Sequence, residues 1–347
     1  MTAVLKTEID FYRYPPIGPE DWRYAFATAK VRGLELTMIP RGTFVDMANA
    51  PSFAEAAELL AGTDYAIDAS ADAAQIEQML MARRSEAREL FTALMLDEEI
   101  IQFLRMREDF SNMRLVIRRV VTNKPLGLDY SNEGNVPAEE FGEIFEQENY
   151  ERLPEDLQYA VEAAILGYYE NKDIRRIDYE LDRSEAQTRL KKALGLGNEF
   201  IISLVRIRID LYNIRTMLRL KLAECQEETR FFFPGGFVDA DKFKQGLEAG
   251  IETIPALFFA TPYDELLEAS IPYLRRETSF LKLEKECEDY VNGFLKTTRS
   301  IAAGPQPVVA YFLMKEAEIR TVRMVLTGKK NGLNPKLILD RLGEWIQ

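Results

Sequence analysis

Apolar residues in this chain recur at steps of three and four over long stretches, the spacing of one face of an α-helix, and nowhere alternate over a length useful for a strand. The clearest stretch is Phe103 to Arg119 (FLRMREDFSNMRLVIRR), where Phe103, Met106, Phe110, Met113 and Ile117 mark one face and Val120 continues it. Leu204 to Leu220 (LVRIRIDLYNIRTMLRL) repeats it, with Leu204, Ile207, Leu211, Ile214 and Leu218 in the same register. At a constant offset of 101 residues, the polar set Arg105, Arg107, Asp109, Asn112, Arg114 and Arg118 returns as Arg206, Arg208, Asp210, Asn213, Arg215 and Arg219. Repetition of both the apolar and the polar face is the mark of an internal duplication.

Around these twins the remaining elements fall into place. Residues 1–23 hold Pro15, Pro16 and Pro19 among aromatics, which predicts an extended arm docked through Tyr12, Tyr14 and Trp22. Helix is expected over Tyr24 to Leu36, ended by Pro40 and Gly42, and again after Ser52, with Glu55 completing a capping box. Asp72 to Glu108 reads as one or two long helices. Lys124-Pro125 stops the first twin, and a loop over Gly127 to Asn135 leads to a short helix near Pro137. Asp156 to Leu194 is again helical, punctuated by Gly195 and Gly197, and the second twin follows over Phe200 to Glu224. The turn FFFPGGFVD, with Pro234, Gly235 and Gly236, resembles PRGTFVD at Pro40 to Asp46, and LLAGTDY at Leu59 to Tyr65 resembles FFATPY at Phe258 to Tyr263.

A second marker sets the period. Glu77, Glu180 and Glu284 each follow an apolar residue, at spacings of 103 and 104, and they precede Asp109, Asp210 and Lys315 by 32, 30 and 31. The last interval exposes a third copy, started by Pro305 and Pro307 and stopped by Gly328, Lys329 and Lys330. Of the polar set only Arg320 persists there, and Glu318 stands at the position of Asn112 and Asn213. The expected fold is all-α, with three pseudo-threefold-related helical units forming a funnel or ring. Their expected limits are an arm over 1–23 and units over 24–122, 123–224 and 225–347, the last closed by the N-terminal segment.

Composition narrows the function. A net charge of -13 argues against a nucleic-acid partner or an anionic membrane surface, both of which need a basic field. Histidine is absent, which removes Ser-His and Cys-His nucleophile chemistry from the chain. No phosphate-binding glycine loop is present, and no cofactor or metal is expected. Cys225 and Cys287 read as reduced core residues of a cytosolic protein, with no signal segment and no apolar run of membrane-spanning length.

Three groups invite a functional reading. The arginines of the twin helices suggest a basic groove. The blander alternative pairs Arg105 with Asp109, and Arg114 or Arg118 with an acid of a neighbouring helix such as Glu180. Asp178 and Asp182, four apart on one helix face, have the spacing of a Mg²⁺ pair, against which stands ordinary solvated charge. Phe231 to Phe233 and Phe237 around the glycine turn form either an exposed contact site or core. The residues singled out as structural or interface positions are Asp109, Asn112, Arg114, Asp210, Asn213, Arg215, Arg320, Gly235 and Gly236.

The repeated DxxN[MI]R helix, three units of about 100 residues and the C-terminal KEAEIRTVRMVLTGKKNGLNPKLILDRL together resemble the C subunit of V/A-type ATPases, the counterpart of the d subunit of the eukaryotic V-ATPase, over residues 24 to 343. The resemblance implies a non-catalytic, all-helical funnel at the cytoplasmic end of a membrane rotor ring. It implies a socket for the central stalk that transmits torque between the two halves of the motor. The partners implied are central-stalk subunits and the rotor ring, with the membrane reached only through that ring. A generic helical interaction scaffold and a Mg²⁺-dependent helical enzyme are the rival readings.

Overall fold

The computed structural model describes residues 9–125, 130–224 and 231–343, and every regular element among them is helical. The first part of the chain forms α1 (Ala25–Glu35), α2 (Arg41–Asn49), α3 (Phe53–Glu58) and α4 (Ala73–Leu94). The middle forms α5 (Glu98–Val121), α6 (Ala138–Glu146), α7 (Glu155–Asn171), α8 (Arg175–Leu196) and α9 (Glu199–Leu222). The last part forms α10 (Ala240–Glu248), α11 (Ile254–Phe258), α12 (Asp264–Glu277), α13 (Leu281–Lys296), α14 (Pro305–Lys330) and α15 (Pro335–Leu339).

Local chemistry explains most of the boundaries. Asp72 accepts from the Gln75 amide while the Gln75 side chain accepts from the Asp72 amide, both at 2.8 Å, so α4 opens on a complete capping box. Ser52 caps α3 by accepting from Glu55 N at 3.2 Å, but that helix is only six residues long. Two expectations need correction. Pro40 and Gly42 do not end the helical region: Pro40 is the N-cap of α2 and Gly42 lies inside it, because a proline that cannot continue one helix is well suited to start the next. The expected helix over Asp156 to Leu194 is broken at Lys172, which takes the left-handed conformation (φ 52°), and Asp173 then accepts from Arg175 N at 3.0 Å to open α8. Neither glycine nor proline marks that break.

The chain divides into two compact units. One comprises residues 97–247, and the other joins residues 9–96 to 248–343. In the first, α7 and α8 pack side by side, α5 packs on both and α9 on α8. The apolar faces read from the sequence are the buried faces: Phe103, Met106, Phe110, Met113 and Ile117 in α5, and Leu204, Ile207, Leu211, Ile214 and Leu218 in α9. Phe232, Phe233 and Phe237 are buried as well, with Phe233 stacked on Tyr212 at 4.1 Å between ring centres. These rings are core rather than a contact tip.

The second unit is built on α14, which is buried on all sides from Pro305 to Ile319. Helices α1 to α4, α13 and α15 pack against it. Phe44, Met47, Leu60, Tyr65, Leu80, Val322, Val325 and Leu326 form the centre of that core. The two related turns of this unit have one construction. Thr63 and Thr261 donate their hydroxyls to the carbonyls of Leu60 and Phe258 (2.8 and 2.7 Å). The same hydroxyls accept from the amides of Tyr65 and Tyr263, whose rings are buried. The arm from Ile9 to Asp21 carries no regular element, and Tyr14 packs on Tyr290. Tyr12 and Trp22, expected to dock, stay 84% and 67% exposed. Cys287 is buried; Cys225 lies outside the described residues.

Candidate functional site

The polar residues repeated in the twin helices meet in one construction: each helix uses an aspartate and an asparagine to hold the turn that precedes a short helix. On α5, Asp109 Oδ1 accepts from the amides of Asn135 and Val136 at 2.8 and 3.0 Å, and Oδ2 accepts from Asn135 Nδ2 at 2.9 Å. Asn112 closes a two-bond clasp on Ser131, donating Nδ2 to its carbonyl and accepting its amide, each at 2.8 Å. On α9, Asp210 accepts from the amides of Phe237 and Val238 at 2.8 and 3.2 Å, and Asn213 closes the same clasp on Phe233, again at 2.8 Å each way. The division of labour follows from chemistry. A carboxylate only accepts and so gathers N–H groups, whereas an amide can serve both backbone groups of one residue.

Glycine makes the close approach possible. A Cβ on Gly134 would lie 2.2 Å from Asp109 Oδ1, and one on Gly236 would lie 1.9 Å from Asp210 Oδ1. Gly235 has φ +99°, and a Cβ there would meet Leu190 Cδ2 at 2.2 Å. These glycines follow their aspartates by 25 or 26 residues, which is the sequence signal that could have revealed the target of Asp109 and Asp210. The expected Arg105–Asp109 pair is not what occupies Asp109, whose carboxylate is spent on the turn while Arg105 is exposed.

A third instance lies on α14. Glu318, fully buried, accepts from Ile39 N and from the Tyr65 hydroxyl, each at 2.6 Å, and pairs with Lys315 Nζ at 2.7 Å. Ile39 precedes the N-cap of α2 as Val136 precedes that of α6 and Val238 stands ahead of α10. The three short helices are each nine residues long, with Phe44, Phe141 and Phe243 fully buried at the fourth position. Sequence alignment sets Glu318 beside the asparagines, yet its role is that of the aspartates, reached from one turn further along by a longer side chain.

The arginines brace helix against helix. Arg114 on α5 pairs with Asp182 and with Asp178 on α8 (Nε to Oδ1 3.4 Å in the latter case), and Arg118 pairs with Asp178. The partners are these aspartates rather than Glu180, and the two carboxylates spaced like a Mg²⁺ pair are thereby held by guanidinium groups. Burial pushes the Asp182 carboxyl up to about 6, against the opposing pull of Arg114. Burial also raises Asp109, against the bonds from Val136 and Asn135. Arg215 is half-buried on α9, and Arg320 is exposed on α14. Beside the brace, Arg107, Arg189 and Arg208 line a cavity of about 250 Å³ with Asp182 and Glu185. A larger groove of about 680 Å³, lined by Glu98, Phe103, Arg105, Asp156 and Lys192 among others, runs at the N-terminal ends of α5 and α7.

The sequence profile of the family described as ATP synthase (C/AC39) subunit matches residues 27–341. The chain belongs to this family. It is 24% identical over 316 residues to the C subunit of the V-type sodium ATPase of Enterococcus hirae, spanning 90% of this chain and 95% of the relative. It is 23% identical to the C subunit of the A-type ATP synthase of Methanocaldococcus jannaschii, over 92% of this chain and 86% of the relative. The corresponding A-type protein of Thermococcus kodakarensis is 24% identical, over 98% and 93%. All three pinned turns fall inside the matched region, and the arm falls outside it. Among the described residues, no helix is long and apolar enough to cross a membrane.

Proposed function

We propose that this chain is the non-catalytic central-stalk subunit of a V/A-type rotary ATPase, a socket that joins the central stalk to the membrane rotor ring and passes torque between them. The observation that carries this reading is the family match over residues 27–341, with relatives named as the C subunits of a V-type sodium ATPase and of A-type ATP synthases. The three carboxylate-pinned turns support the finer architecture: helical units over 24–122, 123–224 and 225–347, arranged with pseudo-threefold symmetry as a funnel or ring and closed by the N-terminal segment. Torque transmission calls for stiffness, and densely packed helices with buried polar pins resist shear. The partners in this reading are central-stalk subunits and the ring. The chain sits at the cytoplasmic face and reaches the membrane only through the ring, while its net charge of -13 disfavours nucleic acid.

The test is a bridging pull-down. Immobilised full-length chain is expected to retain a central-stalk subunit and the detergent-solubilised rotor ring in one complex. Retention of only one of the two, or of neither, under conditions where the chain is folded by circular dichroism, would overturn the socket reading.

A further inference from the structure

The arm from Ile9 to Asp21 lies ahead of the family match, which begins at residue 27, yet it is held by a set of specific contacts with α13 and the start of α14. Tyr14 packs between Tyr290 (5.2 Å between ring centres) and Phe294 (6.3 Å), and Tyr263 backs Tyr290 at 5.0 Å. Its hydroxyl enters a notch that exists because residue 293 is glycine: a Cβ there would lie 1.9 Å from Tyr14 Oη. Pro15, next in line, is buried.

The backbone of the arm is read by side chains. Tyr290 donates its hydroxyl to the Arg13 carbonyl at 2.5 Å. Gln306, 3% exposed, donates Nε2 to the carbonyls of Ile17 and Pro19 at 3.1 and 2.9 Å. Gly18, at φ +80°, bends the chain between those carbonyls, which brings both within reach of one amide group. Gly304 leaves room for Gln306 Oε1, which a Cβ would approach to 2.0 Å. Beyond the bend, Glu20 accepts from Ala302 N at 3.0 Å, and Asp21 N donates to Ala303 O at 2.9 Å.

This is the chemistry by which proline-rich segments are recognised. Prolines bring no N–H and a fixed φ, so such a segment offers carbonyls to side-chain donors and loses little entropy on docking beside aromatic rings. We propose that the face formed by Tyr290, Phe294, Gly293 and Gln306 is a peptide groove. Its ligand class is a segment with tyrosine followed by two prolines and a Gly-Pro bend, and the chain's own arm occupies it in cis, exchangeable for the same segment supplied in trans.

The experiment uses a fluorescent peptide spanning residues 9–23 and two full-length chains, wild type and one in which Tyr14→Ala and Pro15→Ala weaken the arm. Tethering gives the native arm a high effective concentration, so the weakened chain is expected to bind the free peptide at least about tenfold more tightly than wild type by anisotropy. A peptide carrying the same tyrosine-to-alanine change, or the further substitution Gly293→Ala in the weakened chain, is expected to lose that gain. Equal affinity of the two chains, or a gain untouched by Gly293→Ala, overturns the proposal. Hydrogen exchange on the wild-type chain gives a reading free of any folding defect. The Ala302 and Asp21 amides are expected to exchange by a local opening, well ahead of amides in the buried half of α14. Equal protection would make the arm a fixed part of the core and overturn its exchangeability.

Discussion

At the scale of single residues, the repeated pair on α5 and α9 is a study in what two nearly isosteric side chains can do. Asn213 both donates to and accepts from Phe233, which a carboxylate cannot do, while Asp210 only gathers amides. Asn213→Asp removes the donor and sets a negative charge against the Phe233 carbonyl in a site that is 1% exposed. It is expected to cost about 1–3 kcal/mol in urea unfolding at neutral pH, with Asn112→Asp acting the same way on Ser131. An unchanged midpoint for both variants would show that the clasps carry no stability. The sequence displayed these residues and their exact recurrence but not their targets, because the backbone groups they hold lie about 20 to 28 residues away and carry no side-chain signature beyond the glycines.

At the scale of elements, the brace between α5 and α8 is the feature with a pH signature. Asp182 has its folded-state pKa raised to about 6 from an ordinary 3.8, chiefly by burial. Between those values the folded chain binds more protons than the unfolded one, so this group's contribution to stability falls as pH rises through the window and is level above it. Asp182→Asn is therefore expected to remove that part of the pH dependence. The stability difference between wild type and variant should change between about pH 4 and 6 and be flat from 7 to 8, measured by chemical denaturation across pH. A difference that stays constant through the lower window would contradict the assignment. Arg114 and Arg118, four apart on α5, were legible as pairing material, whereas Asp178 and Asp182, four apart on α8, read as a Mg²⁺ spacing or solvated charge. That Arg114 reaches two aspartates at once depends on the crossing of α5 over α8, and the break at Lys172 that lets α7 fold back on α8 had no marker at all.

At the scale of the whole molecule, the second unit joins residues 9–96 to residues 248–343, and Glu318 is its keystone. It holds Ile39, Tyr65 and Lys315 at the buried centre of the unit, tying the N-terminal helices to α14. Glu318→Gln keeps the shape but leaves Lys315 buried with its main counter-charge gone, Asp64 being 3.4 Å away and largely exposed. A loss of about 3–5 kcal/mol is expected, together with faster exchange of the Ile39 amide. Thermal and denaturant unfolding with hydrogen exchange check this, and a loss below about 1 kcal/mol would mean that packing alone closes the unit.

The hydrophobic period by itself determined the helical class and the buried faces of α5 and α9, because a face that must be buried leaves its spacing in the chain wherever it packs, while the repeated DxxN[MI]R motif and the C-terminal KEAEIRTVR segment carried the resemblance to the family. Helix starts at Pro137, Pro305 and Asp72 were equally open to reading, since caps are local chemistry, whereas Pro40 read as a stop and proved to be a start. Only the tertiary structure decided where Asp109, Asp210 and Glu318 spend their charge, which of Tyr12, Tyr14 and Trp22 is docked, and which aspartates the arginines meet. Each of those is a contact between segments far apart in sequence, and its geometry is set by how helices cross rather than by the order of residues along any one of them.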